Sequence, residues 1–342
     1  MMGVLNHLST LLLLSLLPHA LSHVVNKFSD VPQCKDFFLG GTTPNLPGIL
    51  VGGEVQNQDQ NEGRYKPICQ KFQYKKKNNK FYKTYMFATL YDTFNKIPVF
   101  SAYTFTSPPT ATRPNQTWMI EPQLEDEMNV EVNNTNVKHQ AADTDYLNNN
   151  LGLDRGHLFP CSFAPDDAAK MYTFTLTNIV PQHHTFNNGS WNDMELNIRK
   201  TLEGNCKINN KIKAYLVTGA VPSNNNNNQL NNRVNIPSHL WTAFCCYNNL
   251  GQWIAEAYWA ENVAEEKSEK KTVTPITLNE LELKLESAYE LSDVKVFPKG
   301  CLTNEDEKNR ESVEQADKGE GIGELRNKKQ REEHEDGEKN RG

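Results

Sequence analysis

The stretch from Leu151 to Arg199 constrains this chain more than any other part of it. It opens with LGLDRGHLFP, passes through TFTLTNIVPQ and closes with HHTFNNGSWNDMELNIR. Asp154-Arg155-Gly156-His157 reads as a rigid turn that presents a histidine. Thr173 to Thr177 alternates polar and apolar residues, the period-2 signature of a half-buried strand. An Asn- and Gly-rich turn then runs into a helix. Ser190-Trp191-Asn192-Asp193 has capping-box spacing, which puts the helix start near Trp191. Trp191, Glu195 and Arg199 follow at i, i+4 and i+8, along one face.

These side chains suit phosphodiester cleavage. That reaction needs a base for water, a divalent cation at the leaving oxygen and a fixed cation for the non-bridging oxygens. His157 is the side chain whose ordinary pKa lies near neutrality. Asn187 offers a neutral oxygen to a hard ion that keeps most of its waters. Glu195 is placed to hold those waters, and Arg199 to face a phosphate with a planar, permanent charge. Asp154 suits a supporting role, bonding a metal-held water or fixing the turn. Arg155 reads equally as a phosphate contact or as a pin for the loop. DRGH alone is no more than a short motif of the kind a surface turn also carries; the spacing of the second half sets it apart.

DRGH, a TLTN segment, and then N-N-G-x-W-x-x-M-E-x-x-x-R resemble the DNA/RNA non-specific endonucleases with a ββα-metal active site. The wider context is similar to the endonuclease domain-containing 1 proteins, through FATLYD, KIPVFSAY, DRGHLFPCSF and IPSHLWTAFCCY. The resemblance runs from Cys34 to Cys301. It implies that His157 is the general base, Asn187 the metal ligand, and Glu195, Arg199 and Asn178 further catalytic positions, beside which Arg155 is a catalytic candidate of the DRGH motif. It also implies Mg²⁺ or Mn²⁺ as cofactor and DNA and RNA as partners.

Net charge over the 342 residues is −6, unusual for a chain that handles nucleic acid. From Glu305 onward there are 13 acidic and 9 basic residues, which leaves the rest near −2. Attraction of a polyanion must therefore come from local patches. Such a patch is suggested by Lys71 to Lys83, where basic residues interleave with Phe72, Tyr74, Phe81 and Tyr82. Lys75, Lys76 and Lys77 are the expected substrate contacts, although a solvated hairpin tip over Lys76 to Asn79 explains the same pattern.

Residues 1–22 read as a secretory signal peptide: Leu8 to Leu17 is apolar, Pro18 follows, and Ala20 and Ser22 are small at the −3 and −1 positions. The leading residues lack Lys and Arg. The apolar run is well short of the roughly 20 residues of a membrane span, so no stable membrane insertion is expected. The expected location is extracellular, and the 7 cysteines agree with it. No C-x-x-C spacing suggests zinc. Cys34 is expected to pair with Cys69, and Cys206 and Cys301 with the two of Cys245-Cys246, in an order left open, leaving Cys161. Asn115 and Asn133 open glycan sequons. Asn188 opens another, expected bare because it lies in the candidate site.

The expected fold class is α+β, a mixed and mostly antiparallel sheet flanked by helices, with a ββα-metal finger carrying the site. Strands are expected at Tyr85–Tyr91, Lys96–Phe105, Lys213–Thr218, Leu240–Tyr247 and Gln252–Trp259. Short helices are expected over Ala141–Asn150 and from Asp166-Asp167, and an amphipathic one over Ile276–Tyr289. Adjacent His183 and His184 point apart and make a poor metal pair. One nuclease domain would span 23–302, followed by a charged tail over 303–342 too poor in apolar residues to fold. A binding protein that keeps this fold without efficient turnover is the alternative, and the complete set of site residues argues against it.

Overall fold

The computed structural model describes residues 23–56, 63–75, 81–108, 113–115, 117–125, 137–147, 149–266, 268, 271–298 and 301. The chain divides into two units, Met1–Cys301 and Leu302–Gly342, and all described residues belong to the first. The expected signal segment, the tail from 303, and Lys76, Lys77 and Asn133 lie outside the described residues, as does the side chain of Lys75.

Strands β1 (His23–Val24), β2 (Tyr65–Lys75), β3 (Phe81–Asp92) and β4 (Ile97–Phe105) come first. Helix α1 (Asp143–Tyr146) precedes β5 (Leu153–His157), α2 (Asp167–Tyr172), β6 (Ile179–His183), α3 (His184–Asn187) and α4 (Ser190–Asn205). Strands β7 (Ala214–Val221), β8 (His239–Tyr247), β9 (Trp253–Glu261) and β10 (Pro275–Ile276) follow, and helix α5 (Leu278–Tyr289) comes last. One eight-stranded sheet takes the order β1-β2-β3-β4-β7-β8-β9-β10 with every pairing antiparallel. Its strands are neighbours in sequence except at β4 and β7. Everything from 106 to 213 is an excursion between those two strands, and β5 and β6 pair separately within it.

Period-2 alternation divides the sheet residues between two cores. Tyr103, Phe105, Leu216, Leu240 and Phe244 pack with Phe159, Ile179, Trp191, Met194, Ile198 and Leu202 of the excursion. Val99, Val217, Trp241 and Ala257 face the other way, onto Leu278, Leu281 and Leu285 of α5 and onto Phe28 and Phe38. The fold is thus α+β, a large antiparallel sheet with the excursion on one face and a capped helix on the other. Thr277 and Glu280 form the capping box of α5, Glu280 N donating to Thr277 Oγ1 at 3.1 Å and Thr277 N to Glu280 Oε2 at 2.8 Å.

The same alternation settles the cysteine pairing. Cys245 and Cys246 are consecutive on β8 and point to opposite faces, so each needs a different partner. Cys246 takes Cys206 at the end of α4, Cys245 takes Cys301, and Cys34 pairs with Cys69. Cys161 remains free.

Three local expectations are corrected. DRGH is not a turn; it forms most of β5. Thr173–Thr177 is not a strand but a buried bend leading into a 3-10 turn at Leu176–Asn178. Its hydroxyls are satisfied internally, Thr173 Oγ1 donating to Lys170 O at 2.8 Å and Thr177 Oγ1 accepting from Gln70 Nε2 at 2.8 Å. Finally, α4 begins at Ser190 without a capping box, since Gly189 occupies the N-cap and has no side chain.

Candidate active site

Hairpin β5–β6 and helices α3 and α4 form the ββα unit that the sequence suggests. Gly156 pairs with Val180 beside Gln182, and a Cβ at Gly156 would fall inside the Gln182 side chain. The glycine of DRGH is therefore required by close packing of the two strands. Helix α4 buries Trp191, Met194, Ile198 and Leu202, each worth about 2 kcal/mol of transfer free energy. With those residues turned inward, Glu195 and Arg199 border a polar cavity.

That cavity, of about 270 Å³, is also lined by His157, Arg155, Asn187, Arg113, Cys161 and Lys170. The His157 ring packs against both Trp118 and Phe174, with centroids 5.2 and 5.0 Å away, and those two rings touch each other at 4.9 Å. Its Nε2 is buried without a protein partner. Burial, reinforced by the Arg113 guanidinium, pushes its pKa down to about 3. The imidazole is therefore neutral at physiological pH. A neutral imidazole with an unused ring nitrogen is the protonation state a base requires.

Asn187 donates through Nδ2 to Asp154 Oδ2 at 2.8 Å, so its amide oxygen is the end left for the cavity. His184 Nδ1 lies 3.0 Å from the same carboxylate and Asn188 Nδ2 donates to it at 3.0 Å. His184 thus serves Asp154 rather than pairing with His183, whose backbone N–H is bonded to Asn262 Oδ1. Glu195 accepts from Trp191 Nε1 at 3.0 Å. Burial raises its carboxyl to about 8, the Trp191 bond partly offsetting the rise. Arg199 lies 3.6 Å from Glu203.

A hard divalent cation fits this donor set. Among the described residues no group of three His, Cys, Asp or Glu side chains could chelate a metal. An ion here would rest on Asn187 Oδ1 and on waters held by Glu195 and Asp154, as oxygen-ligated Mg²⁺ or Mn²⁺ tolerates.

Two of the expected catalytic positions, Asn178 and Arg155, are tied into the surrounding structure by internal bonds. Asn178 is fully buried and lies outside the cavity lining. Its Oδ1 accepts from Ser101 Oγ and Phe159 N, both at 2.9 Å, and its Nδ2 donates to Phe159 O and Thr173 O. These four bonds clamp β4 to the excursion. Arg155 borders the cavity, but its Nη2 meets Asp143 Oδ1 at 2.6 Å and Asp143 O at 2.9 Å. Its guanidinium also lies over the rings of Trp118 and Tyr146. These contacts hold the guanidinium at the cavity edge.

Arg113 and Lys170 are cavity residues that sequence reasoning missed. Arg113 sits over the Phe174 ring at 5.2 Å within a polar connection that carries no periodic signal. Lys170 is buried at the end of a short helix, and nothing in its spacing links it to His157. The start of its helix was legible, Asp166 accepting from Ala169 N at 2.8 Å.

A hairpin bearing DRGH, packed on a helix that turns Glu and Arg to the same cavity, defines a class of protein. The DNA/RNA non-specific endonuclease family matches residues 68–292, and the chain belongs to that family. It is 30% identical over 234 residues to the endonuclease domain-containing 1 protein of Homo sapiens, covering 65% of this chain and 40% of that protein. It is 31% identical over 228 residues to the Mus musculus protein of the same name, covering 63% and 38%. The chain therefore spans about 40% of the length of these curated relatives. A chain in the crystal structure of an EndoG/EndoGI complex is 18% identical with a TM-score of 0.43, covering 64% of this chain and 86% of that one.

Proposed function

We propose that this chain is a secreted endonuclease that hydrolyses phosphodiester bonds of DNA and RNA with little sequence preference, using a bound Mg²⁺ or Mn²⁺. The observation that carries this reading is the neutral His157 imidazole, its Nε2 unpartnered, in a cavity shared with Asn187, Glu195, Arg113 and Arg199.

His157 Nε2 accepts the proton of the attacking water, and the aromatic walls of Trp118 and Phe174 hold its ring in place. Arg113 and Arg199 face the non-bridging oxygens with planar, permanent charge. Asp154 orients Asn187 so that its oxygen would be the end available to hold the ion, and Glu195 would hold the waters of the ion's shell. When bound, the ion supplies charge at the leaving 3′-oxygen, giving 5′-phosphate ends. Low sequence preference follows from contacts to phosphates, which carry no base information.

Secretion is supported by the three disulfides and by residues 1–22. Among the described residues no helix is long and apolar enough to cross a membrane. The domain boundaries proposed are 23–302 for the nuclease domain and 303–342 for the tail. The test is digestion of plasmid DNA and of RNA by purified protein, with Mg²⁺ and with chelator. Metal-dependent cleavage of both is expected; binding without cleavage would establish the non-catalytic alternative.

A further inference from the structure

Two residues just after β9, Asn262 and Glu265, far from DRGH in sequence, bond to β6, α3 and the start of α4. Helix α4 starts with Gly189 at its N-cap, so its first amides have no side-chain acceptor of their own. Glu265 supplies one from outside: Ser190 N donates to Oε2 at 3.1 Å and Ser190 Oγ donates to Oε1 at 2.5 Å. A carboxylate at this end also complements the helix dipole. The backbone N–H of the same residue donates to Thr185 Oγ1 on α3 at 2.7 Å. Three residues earlier, Asn262 accepts from His183 N and donates to Pro181 O on β6 and Pro237 O ahead of β8, each at 3.0 Å. A Cβ at Gly189 would collide with both Thr185 O and the Glu265 carboxylate. The glycine and the acid therefore fit as a pair.

We propose that Glu265 is a positioning residue for the nuclease site, a cap supplied by the loop after β9 that fixes α3 and α4 against each other. Asn187 lies three residues before Ser190, and Glu195 five after it. The distance between the metal-holding oxygen and the water-holding carboxylate depends on the joint that Glu265 closes. Asn262 sets the same joint in register with the main sheet. The inference rests on the nuclease reading for its kinetic consequence but not for its structural one.

The test uses the full chain with Glu265→Ala, Glu265→Gln, Ser190→Ala and, as control, the exposed neighbour Glu266→Ala. Two readouts are taken: cleavage of supercoiled plasmid across a Mg²⁺ titration, and solvent exchange of the Trp191 indole proton, which reports the Trp191–Glu195 bond. Glu265→Ala is expected to lower kcat by about tenfold to about a hundredfold, the scale of an approximately 1 Å displacement of reacting groups. KM for DNA should change little, half-saturation should move to higher Mg²⁺, and indole exchange should quicken. Glu265→Gln keeps an acceptor for Ser190 N and a donor for Ser190 Oγ, so it should recover most of the rate. Ser190→Ala should fall between the two, and Glu266→Ala should match wild type. Equal kcat and equal indole exchange in wild type and Glu265→Ala would overturn the proposal. So would a thermal destabilisation that accounts for the whole loss and that Gln does not relieve. If Glu265→Ala does not fold, Glu265→Gln and Ser190→Ala decide by the same readouts. If wild type itself cleaves nothing, the nuclease reading fails, and indole exchange alone decides the placement of α4.

Discussion

Asp154 on β5 holds Asn187 on α3 through a 2.8 Å bond to the amide nitrogen, across 33 residues of chain. The carboxylate thereby selects which end of the asparagine meets the cavity. Removing it with Asp154→Ala frees the amide to rotate. Activity should fall by about 10- to 100-fold, the usual cost of losing a residue that orients a ligand, and excess Mg²⁺ should restore part of it. Asn187→Ala removes the ligand itself, so excess Mg²⁺ should restore little. Measuring initial rates of both variants across a Mg²⁺ series separates the two cases.

Metal-free stability should carry two opposing pH signatures. Between pH 6.5 and about 3 an unfolded His157 binds a proton that the folded residue excludes. Its contribution is fully present above 6.5 and is lost as pH falls through this window. From 4.5 to about 8 the folded Glu195 retains a proton that the unfolded residue has released, so its contribution falls as pH rises. Glu121, also buried and raised to about 8, adds to that fall. Denaturant midpoints in chelator should show a shallower decline toward pH 8 for Glu195→Gln than for wild type. An identical decline would mean that Glu195 is already ionised in the folded protein.

Arg233 joins the buried Asp145 carboxylate at 2.5 Å and also donates to Val137 O and Gln140 O. Arg233→Ala leaves Asp145 with Asn231 and Ala142 as hydrogen-bond partners and with Lys96 as a nearby charge but without its bonded guanidinium. Unfolding free energy should drop by about 3–5 kcal/mol, as when one member of a buried pair is removed. A loss below 1 kcal/mol would imply that water reaches Asp145 freely.

Cys206–Cys246 anchors the end of α4 to β8 across 40 residues. Replacing both cysteines with serine should cost about 2–5 kcal/mol. The first turn of α4, held by Glu265, should keep its geometry, so kcat at a temperature well below unfolding should change little. A large fall in kcat there would show that the far end of α4 also governs the site.

Strands β4, β7 and β8 were legible in the sequence because they carry apolar residues on both faces and are bounded by turn residues, whereas β5 reads as a turn because DRGH is mostly polar. The two cysteines of β8 reveal their divergent partners once strand alternation is granted. DRGH and the N-N-G-x-W run identified the site, because few folds need those types at that spacing. The Thr173–Thr177 bend misled because threonines that bond backbone carbonyls in a buried bend alternate just as threonines on a strand surface do. Ser190 offered a capping-box spacing, yet its hydroxyl was already committed to Glu265, 75 residues away. The four internal bonds of Asn178 were not legible, because its partners Ser101, Phe159 and Thr173 are brought to it only by the fold. Arg113 and Lys170 were invisible because no periodicity connects them to His157; only the folded excursion brings them to the cavity.

The central claim, that a neutral His157 activates water, is tested most directly by single-turnover cleavage of plasmid DNA with saturating Mg²⁺ by wild type and His157→Ala. Equilibrium binding is measured on the same proteins in chelator. The account predicts a rate loss of at least about 10²–10⁴, as general-base removal produces, with DNA binding unchanged. It also predicts a wild-type rate that does not fall as pH drops from 7 through the 6.5 of an ordinary histidine, because the His157 pKa is displaced to about 3. A His157→Ala protein that cleaves at the wild-type rate would contradict the assignment.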